Sequence, residues 1–289
     1  MKKEIRNVTK FLSAFREISG KTVMYSILII LVVTSLFPFF MMVSGSFKDN
    51  SELITLEQNL LPKQLNFRHY VDLAERFPFW RNFLNTVIFA GSKAFLAVLF
   101  CTTAGFAIAK YPFPGRSIVY LLVMLTLMIP FQSIIVPSYL ILRRFRWLNT
   151  FYGLIVPGAV PAFGTFMMRQ FIVTSFPDEL LDSARIDGCS EFSLYWRIVV
   201  PVVAPSMWVL GLIILMRSWK NFIWPFIVVN KEEMFTIPIV IQAIAAGGVY
   251  EIWGQALAAA TVGTIPLVVL FLLAQKYFIS GLMSGFSKG

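Results

Sequence analysis

The sequence predicts an all-α, polytopic membrane protein of about six transmembrane helices, and three features carry that expectation. Of the 289 residues, 57% are apolar and 14% charged, with a mean hydropathy of +0.74, far from the composition of a soluble domain. Between Arg116 and Arg143 there are 26 consecutive uncharged residues, and between Glu251 and Lys276 there are 24. Either run exceeds the ~20 residues that cross the hydrocarbon of a bilayer. Such runs recur to the end of the chain, and the first (23–43) is too long for the apolar part of a signal peptide.

The spans follow in order at about 23–43, 85–109, 118–140, 150–173, 203–228 and 255–278. All are expected to be helical, because backbone exposed to hydrocarbon must satisfy its own hydrogen bonds. Residues 234–250 are apolar but short, contain Pro238 and end near Gly247-Gly248, and read as a partly buried extracytoplasmic loop or half-helix. Pro130, Pro137, Pro157, Pro161, Pro205 and Pro225 lie within or beside spans, where each removes a backbone donor and tends to kink its helix. They are either ordinary membrane prolines or hinges of a moving bundle.

Orientation follows from the basic residues. The N-terminal segment carries Lys2, Lys3, Arg6, Lys10, Arg16 and Lys21, whereas residues 44–82 hold five basic and five acidic groups. Cytoplasmic segments collect Lys and Arg, so both termini and the loop at 175–200 are expected on the cytoplasmic side. Arg143, Arg144 and Arg146 break that rule by falling outside. The formal charge of +10 is scattered among apolar spans and forms no nucleic-acid stripe. Cys101 in a span and Cys189 in a loop are expected to be free thiols. The only histidine, His69, excludes a multi-histidine metal site within the chain and is expected to be simply solvated.

The informative loop is 175–201. Ser175, with Pro177 in the first turn and Asp178 three residues on, reads as a capped helix start, and Gly188 as the left-handed residue ending that helix. Ser190 can cap a second helix with Phe192, Tyr195, Trp196 and Val199 on one apolar face before Pro201. Such an element suits a docking lever, with Asp182, Asp187 and the small Ser183 and Ala184 available to a partner's groove. Residues 178–191 carry five acids and Arg185, the wrong sign for a helix lying on an anionic leaflet.

The pattern Asp182-Ser183-Ala184, two residues, Asp187-Gly188-Cys189, eight residues, Ile198, one residue, Val200-Pro201 resembles the EAA loop of ABC importer permeases. Phe235-Thr236-Ile237-Pro238, Trp253-Gly254, Ile265-Pro266, the run from Gln275 to Gly281-Leu282, and Lys288-Gly289 look like the MalG type of carbohydrate permease, over roughly residues 23–289. The resemblance implies the transmembrane fold of type I ABC importers, with a cytoplasmic segment at 1–22, a first helix and extracytoplasmic loop at 23–81, a transmembrane core at 82–278 and a C-terminal tail at 279–289. It implies that the loop couples to a cytoplasmic ATPase through Asp182, Ser183, Ala184, Asp187, Gly188, Cys189 and Pro201. The implied partners are a second permease subunit, two ATPase subunits, an extracytoplasmic solute-binding protein, a saccharide and membrane lipid. No cofactor is expected in this chain, with ATP and Mg on the partner ATPase. Asp182 replaces the pattern's Glu, and Ser183 and Cys189 replace alanines; all three exchanges are small.

No G-x-x-x-x-G-K-[ST] occurs, Gly91-Ser92-Lys93 being only a fragment inside a span, so ATP is expected to be handled elsewhere and the chain is expected not to be an enzyme. An ion-coupled carrier would need intramembrane acids, and no span has a central Asp or Glu. A membrane enzyme would lack an evident general base. Where the resembled family usually shows Trp-Asn-Asp-Phe, this chain reads Trp219-Lys220-Asn221-Phe222. Arg217, Lys220 and Asn221 are therefore candidates for a basic translocation path, with Arg217 and Lys220 sharing a helix face and an acidic saccharide as one substrate they would suit.

Overall fold

The computed structural model describes residues 2–55, 59–76, 78–247 and 253–286, and side-chain surroundings for 21–55, 59–75, 78–247 and 253–275. Gly248, Lys288 and Gly289 of the sequence motifs lie outside the described residues, as does the end of the 234–250 stretch. All regular elements among the described residues are helical. Four helices are long and apolar enough to cross a membrane, and the number rises to six if each of two bent helix pairs is one span.

The chain divides into two compact units, the first formed by residues 1–72 with 248–261. Helix α1 (Lys2–Ser46) runs from the N-terminal segment into the first span without interruption, so the expected boundary at 22 is not a structural break. Its residues 21–40 are exposed in this chain, as suits a helix whose surroundings are lipid or another subunit. Two short helices follow, α2 (Asn50–Ile54) and α3 (Arg68–Arg76). His69 is not solvated as the sequence suggested: it is 4% exposed, with Nε2 2.8 Å from the Lys48 carbonyl. A Cβ on Gly254 would fall 2.1 Å from that nitrogen, so the ring packs where only glycine leaves room.

The second unit, residues 73–247 with 262–289, is organised around α4 (Phe79–Lys110). The expected third span is not one rod: α5 (Arg116–Met128) and α6 (Phe131–Arg144) meet at 104°. Pro130 lacks a donor and forces the residue before it out of the helical region; Ile129 sits at φ −80°, ψ 118°. The fourth span is bent by 41° between α7 (Phe151–Ile155), with its 3₁₀ turn Val156–Gly158, and α8 (Ala162–Ser175). Pro130 and Pro161 are thus the breaks, while Pro137 stays inside α6.

After α9 (Asp178–Ile186), α10 (Glu191–Leu194) leads through a π turn, Tyr195–Val199, into α11 (Val200–Trp219). The expected fifth span therefore starts earlier and ends earlier than 203–228, because the chain leaves the helix at Lys220 and restarts as α12 (Ile223–Val228). Residues 234–250 contain a short helix, α13 (Ile237–Ala246), the half-helix alternative of the sequence reading. Helix α14 (Trp253–Phe286) is the last element among the described residues and passes the expected tail boundary at 279 without a break.

Two buried clusters lie at opposite ends of α4. Phe89 packs with Leu142, Leu154, Trp224, Val228 and Ile239. Toward Lys110, Ala97, Cys101 and Phe106 pack with Met168 and Ile172 of α8, Leu181 of α9 and Val203 and Leu210 of α11. The α4–α8 approach needs small residues: a Cβ on Gly105 would lie 2.8 Å from the Arg169 backbone nitrogen. Both cysteines are free.

Candidate functional site

The loop at 175–201 folds as a helix, a tight turn and a second helix. The start differs from the sequence expectation: Ser175 closes α8, Pro177 is the residue ahead of α9, and no side chain caps α9. Its end follows the glycine reading in detail. Gly188 has φ +77°, its N–H bonds the Arg185 carbonyl at 3.0 Å, and the Cys189 N–H bonds the Ala184 carbonyl at 3.0 Å. This pair of reverse bonds satisfies the carbonyls that a helix end leaves open. Ser190 then caps α10 by accepting from the Ser193 N–H at 3.3 Å.

Burial sorts the predicted residues into two sets. Asp182, Ser183, Asp187 and Gly188 are exposed, and Ile186, which the sequence reading did not single out, is 85% exposed at the tip. Ala184 is not available to a partner as expected; with Leu181 it faces inward onto the core that holds Met168 and Leu194, with Cys189 half-buried against it. The apolar face expected of the second helix divides similarly: Tyr195 and Val199 are buried, whereas Phe192 and Trp196 are exposed and meet edge to face at 6.2 Å.

Pro201 does not follow the end of a helix; it lies in the first turn of α11, inside a continuous helical run from Glu191 to Trp219. A proline there would clash with the carbonyl four residues back. The π turn before it widens the helix, the Val200 N–H reaching back to the Tyr195 carbonyl.

The lever is moored to the end of α4 by charges the sequence reading passed over. Lys110, 7% exposed in its side chain, donates to the Phe176 carbonyl at 2.7 Å and pairs with Asp178. Its ammonium also lies 5.7 Å from the centre of the Phe176 ring. Arg185 donates to Glu191 at 3.0 Å and lies 3.9 Å from Asp182, with its guanidinium 5.8 Å from the Tyr111 ring centre. Tyr111 donates to Glu191. Burial pushes the Tyr111 hydroxyl above its ordinary value, and the Glu191 carboxylate adds to the rise, so the phenol stays a donor at neutral pH. Asp178 and Glu191 are thus occupied within the chain. Of the loop's acids, Glu179 and Asp187 form no ion pair among the described residues.

The basic candidates stand at the end of α11. Arg217 is exposed in the last turn of α11, its guanidinium 5.1 Å from the Phe163 ring centre. Lys220 stands at the C-cap with helical backbone angles and its N–H on the Met216 carbonyl at 3.3 Å, three residues on from Arg217. Asn221 has a local task, its Oδ1 accepting from the Trp224 N–H at 3.2 Å as the chain re-enters a helix. Arg143, Arg144 and Arg146 end α6, all exposed, with Arg146 at φ 57°. A cation passed over as a motif fragment, Lys93, lies mid-way along α4 against Gly158. A lone lysine inside a long apolar helix is itself a sequence signal.

The profile of the family described as "Binding-protein-dependent transport system inner membrane component" matches residues 101–283. The chain is 33% identical to the arabinooligosaccharides transport system permease protein AraQ of Halalkalibacterium halodurans, over 88% of this chain and 92% of that protein. It is 30% identical to the lactose transport system permease protein LacG of Rhizobium radiobacter, over 90% of this chain and 94% of that protein. Its fold is similar to that in the crystal structure of a bacterial ABC transporter involved in the import of the acidic polysaccharide alginate, with a TM-score of 0.80, 20% identity, and coverage of 89% of this chain and 95% of that one.

Proposed function

Since this chain belongs to the binding-protein-dependent transport system inner membrane components, we propose that it is the permease subunit through which an ABC importer moves a sugar or oligosaccharide across the cytoplasmic membrane. The substrate class is supported by relatives named for arabinooligosaccharides and lactose. The companions are a second permease subunit, two ATPase subunits and an extracytoplasmic binding protein. ATP and Mg belong to the ATPases: Gly20-Lys21-Thr22 has the closing triad of a phosphate loop, but Phe15 stands where the opening glycine is required. The basic N-terminal segment supports cytoplasmic termini.

The observation that carries the coupling role is the posture of α9. It presents Asp182, Ser183, Ile186 and Asp187 outward while Leu181 and Ala184 lock it to the core and Lys110 ties its start to α4. A push on its outer face is thereby delivered to the helices around it. Ala184, Cys189 and Pro201 serve this lever from inside, by packing and by setting its exit into α11.

Gly188→Val tests the role. Nothing lies within 4 Å of a Cβ at this position, so the change acts through the backbone alone. A non-glycine residue in the left-handed region costs ~1–2 kcal/mol, which should lower uptake roughly 5- to 30-fold in the reconstituted complex, with membrane insertion retained. Asp182→Lys should act alike if the facing cleft is basic. Unchanged uptake and unchanged binding-protein-stimulated ATP hydrolysis in both variants would remove the coupling role.

A further inference from the structure

Lys93 occupies a position that the coupling role leaves unused. It lies 14 residues from Phe79 and 17 from Lys110 in α4, about 21 and 25 Å from the helix ends at 1.5 Å per residue. Lys93 therefore sits near the middle of a helix long enough to cross the bilayer. Its ammonium lies 5.2 Å from the Phe89 ring centre and makes no ion pair or hydrogen bond among the described residues. It rests against Gly158, where an added Cβ would come 2.3 Å from Nζ. Gly158 is the last residue before the break in the fourth span.

Arg217 stands on the far side of the same break, over Phe163 in the first turn of α8. It too has no acidic partner among the described residues. Helices α4 and α11 are antiparallel, with Phe83 against Trp219 and Val98 against Gly211. Lys93 lies ten residues beyond Phe83 and Arg217 two residues before Trp219, so the two cations stand at successive depths beside the break in the fourth span. The central stretches of the spans contain no Asp or Glu to neutralise them. A charge at membrane depth is retained where it meets a wet cavity or a counter-charge, since lipid would cost it ~2.5 kcal/mol or more.

Building on the importer reading above, we propose that Lys93 and Arg217, bracketing the break between Gly158 and Ala162, form two successive anion-selective points of the translocation path, and that the saccharide carried bears carboxylates. The ammonium supplies a point charge and the guanidinium a fork that matches two oxygens of one anionic group. Lys220 and Asn221 are not needed for this: one ends a helix and the other restarts it.

The experiment is ATP-dependent uptake by the full transporter in proteoliposomes with its binding protein, using trigalacturonate and its carboxyl-reduced counterpart, galactotriose. These probes differ only in their carboxylates. The wild type should favour the anionic probe, and Lys93→Gln should lower the ratio of anionic to neutral uptake about tenfold, with Lys93→Arg restoring most of it. Gly158→Ala, whose methyl would displace the ammonium, should lower the same ratio in a chain that keeps Lys93. A wild type that prefers the neutral probe, or a ratio unchanged within twofold in both Lys93→Gln and Gly158→Ala, would overturn the proposal while leaving the importer reading intact. Absence of ATP-dependent uptake of either probe by the wild type would likewise overturn this proposal, while the importer reading rests on the uptake of other saccharides.

Discussion

Two residues of the loop after α6 share an unusual backbone angle and invite opposite substitutions. Arg146 and Asn149 both have φ 57°. Arg146 ends α6 in a left-handed conformation, with its own N–H on the Arg143 carbonyl and the Trp147 N–H on the Leu142 carbonyl, and its side chain is exposed. Arg146→Gly should therefore stabilise the complex by about 0.5 to 1 kcal/mol, seen as a raised unfolding temperature in detergent. If uptake falls in the same variant, the guanidinium has a transport task separate from stability. Asn149→Gly keeps the permitted angle but loses the Oδ1 that accepts from the Asn230 N–H at 2.8 Å and the Lys231 N–H at 3.2 Å. That change should destabilise by about 1 kcal/mol in the same measurement. Gly188 was legible in the sequence because glycine is the residue that a left-handed helix end selects. Arg146 was not, since nothing in an arginine codon announces a positive φ.

At the scale of elements, the junction of α4 with α9 governs how a movement of the lever reaches the bundle. Lys110 is nearly buried while its partner Asp178 is 76% exposed in its side chain, so water screens one end of the pair. A double-mutant cycle with Lys110→Gln and Asp178→Asn should return an interaction of ~1 kcal/mol, read from binding-protein-stimulated ATP hydrolysis. Lys110→Gln alone should lower saccharide uptake per ATP hydrolysed, because the Phe176 carbonyl also loses its donor. A value indistinguishable from wild type would mean that core packing through Leu181 and Ala184 suffices. The helix-turn-helix was readable from Gly188 and Ser190, whose chemistry is local. The passage of Pro201 through a helix was not, because the π turn that accommodates it depends on Tyr195 and Val199 being buried against α4 and α8.

For the whole molecule, the surface left over points to assembly. The apolar side chains at 21–40 of α1 and along α5 are exposed in this chain, where lipid or a companion subunit would cover them. The chain expressed alone should insert but show no ATP-dependent uptake, and activity should return on co-expression with a second permease and the ATPases; full uptake by this chain with the ATPases alone would refute the need for a companion. Membrane residence and helical class were legible from composition and uncharged runs, because hydrocarbon imposes the same demand on any backbone that enters it, whereas the expected six spans correspond to four straight helices and two bent pairs. The EAA spacing was legible because a helix end and a cap are written in neighbouring residues. The inward turn of Ala184, the burial of His69 and the pairing of Lys110 with Asp178 and of Tyr111 with Glu191 rest on partners up to 80 positions away, while Pro130 marked the break in the third span but not its 104° angle. Which face of a helix is buried, and which charge is neutralised, is settled by what packs against it, and that information exists only once the chain has folded.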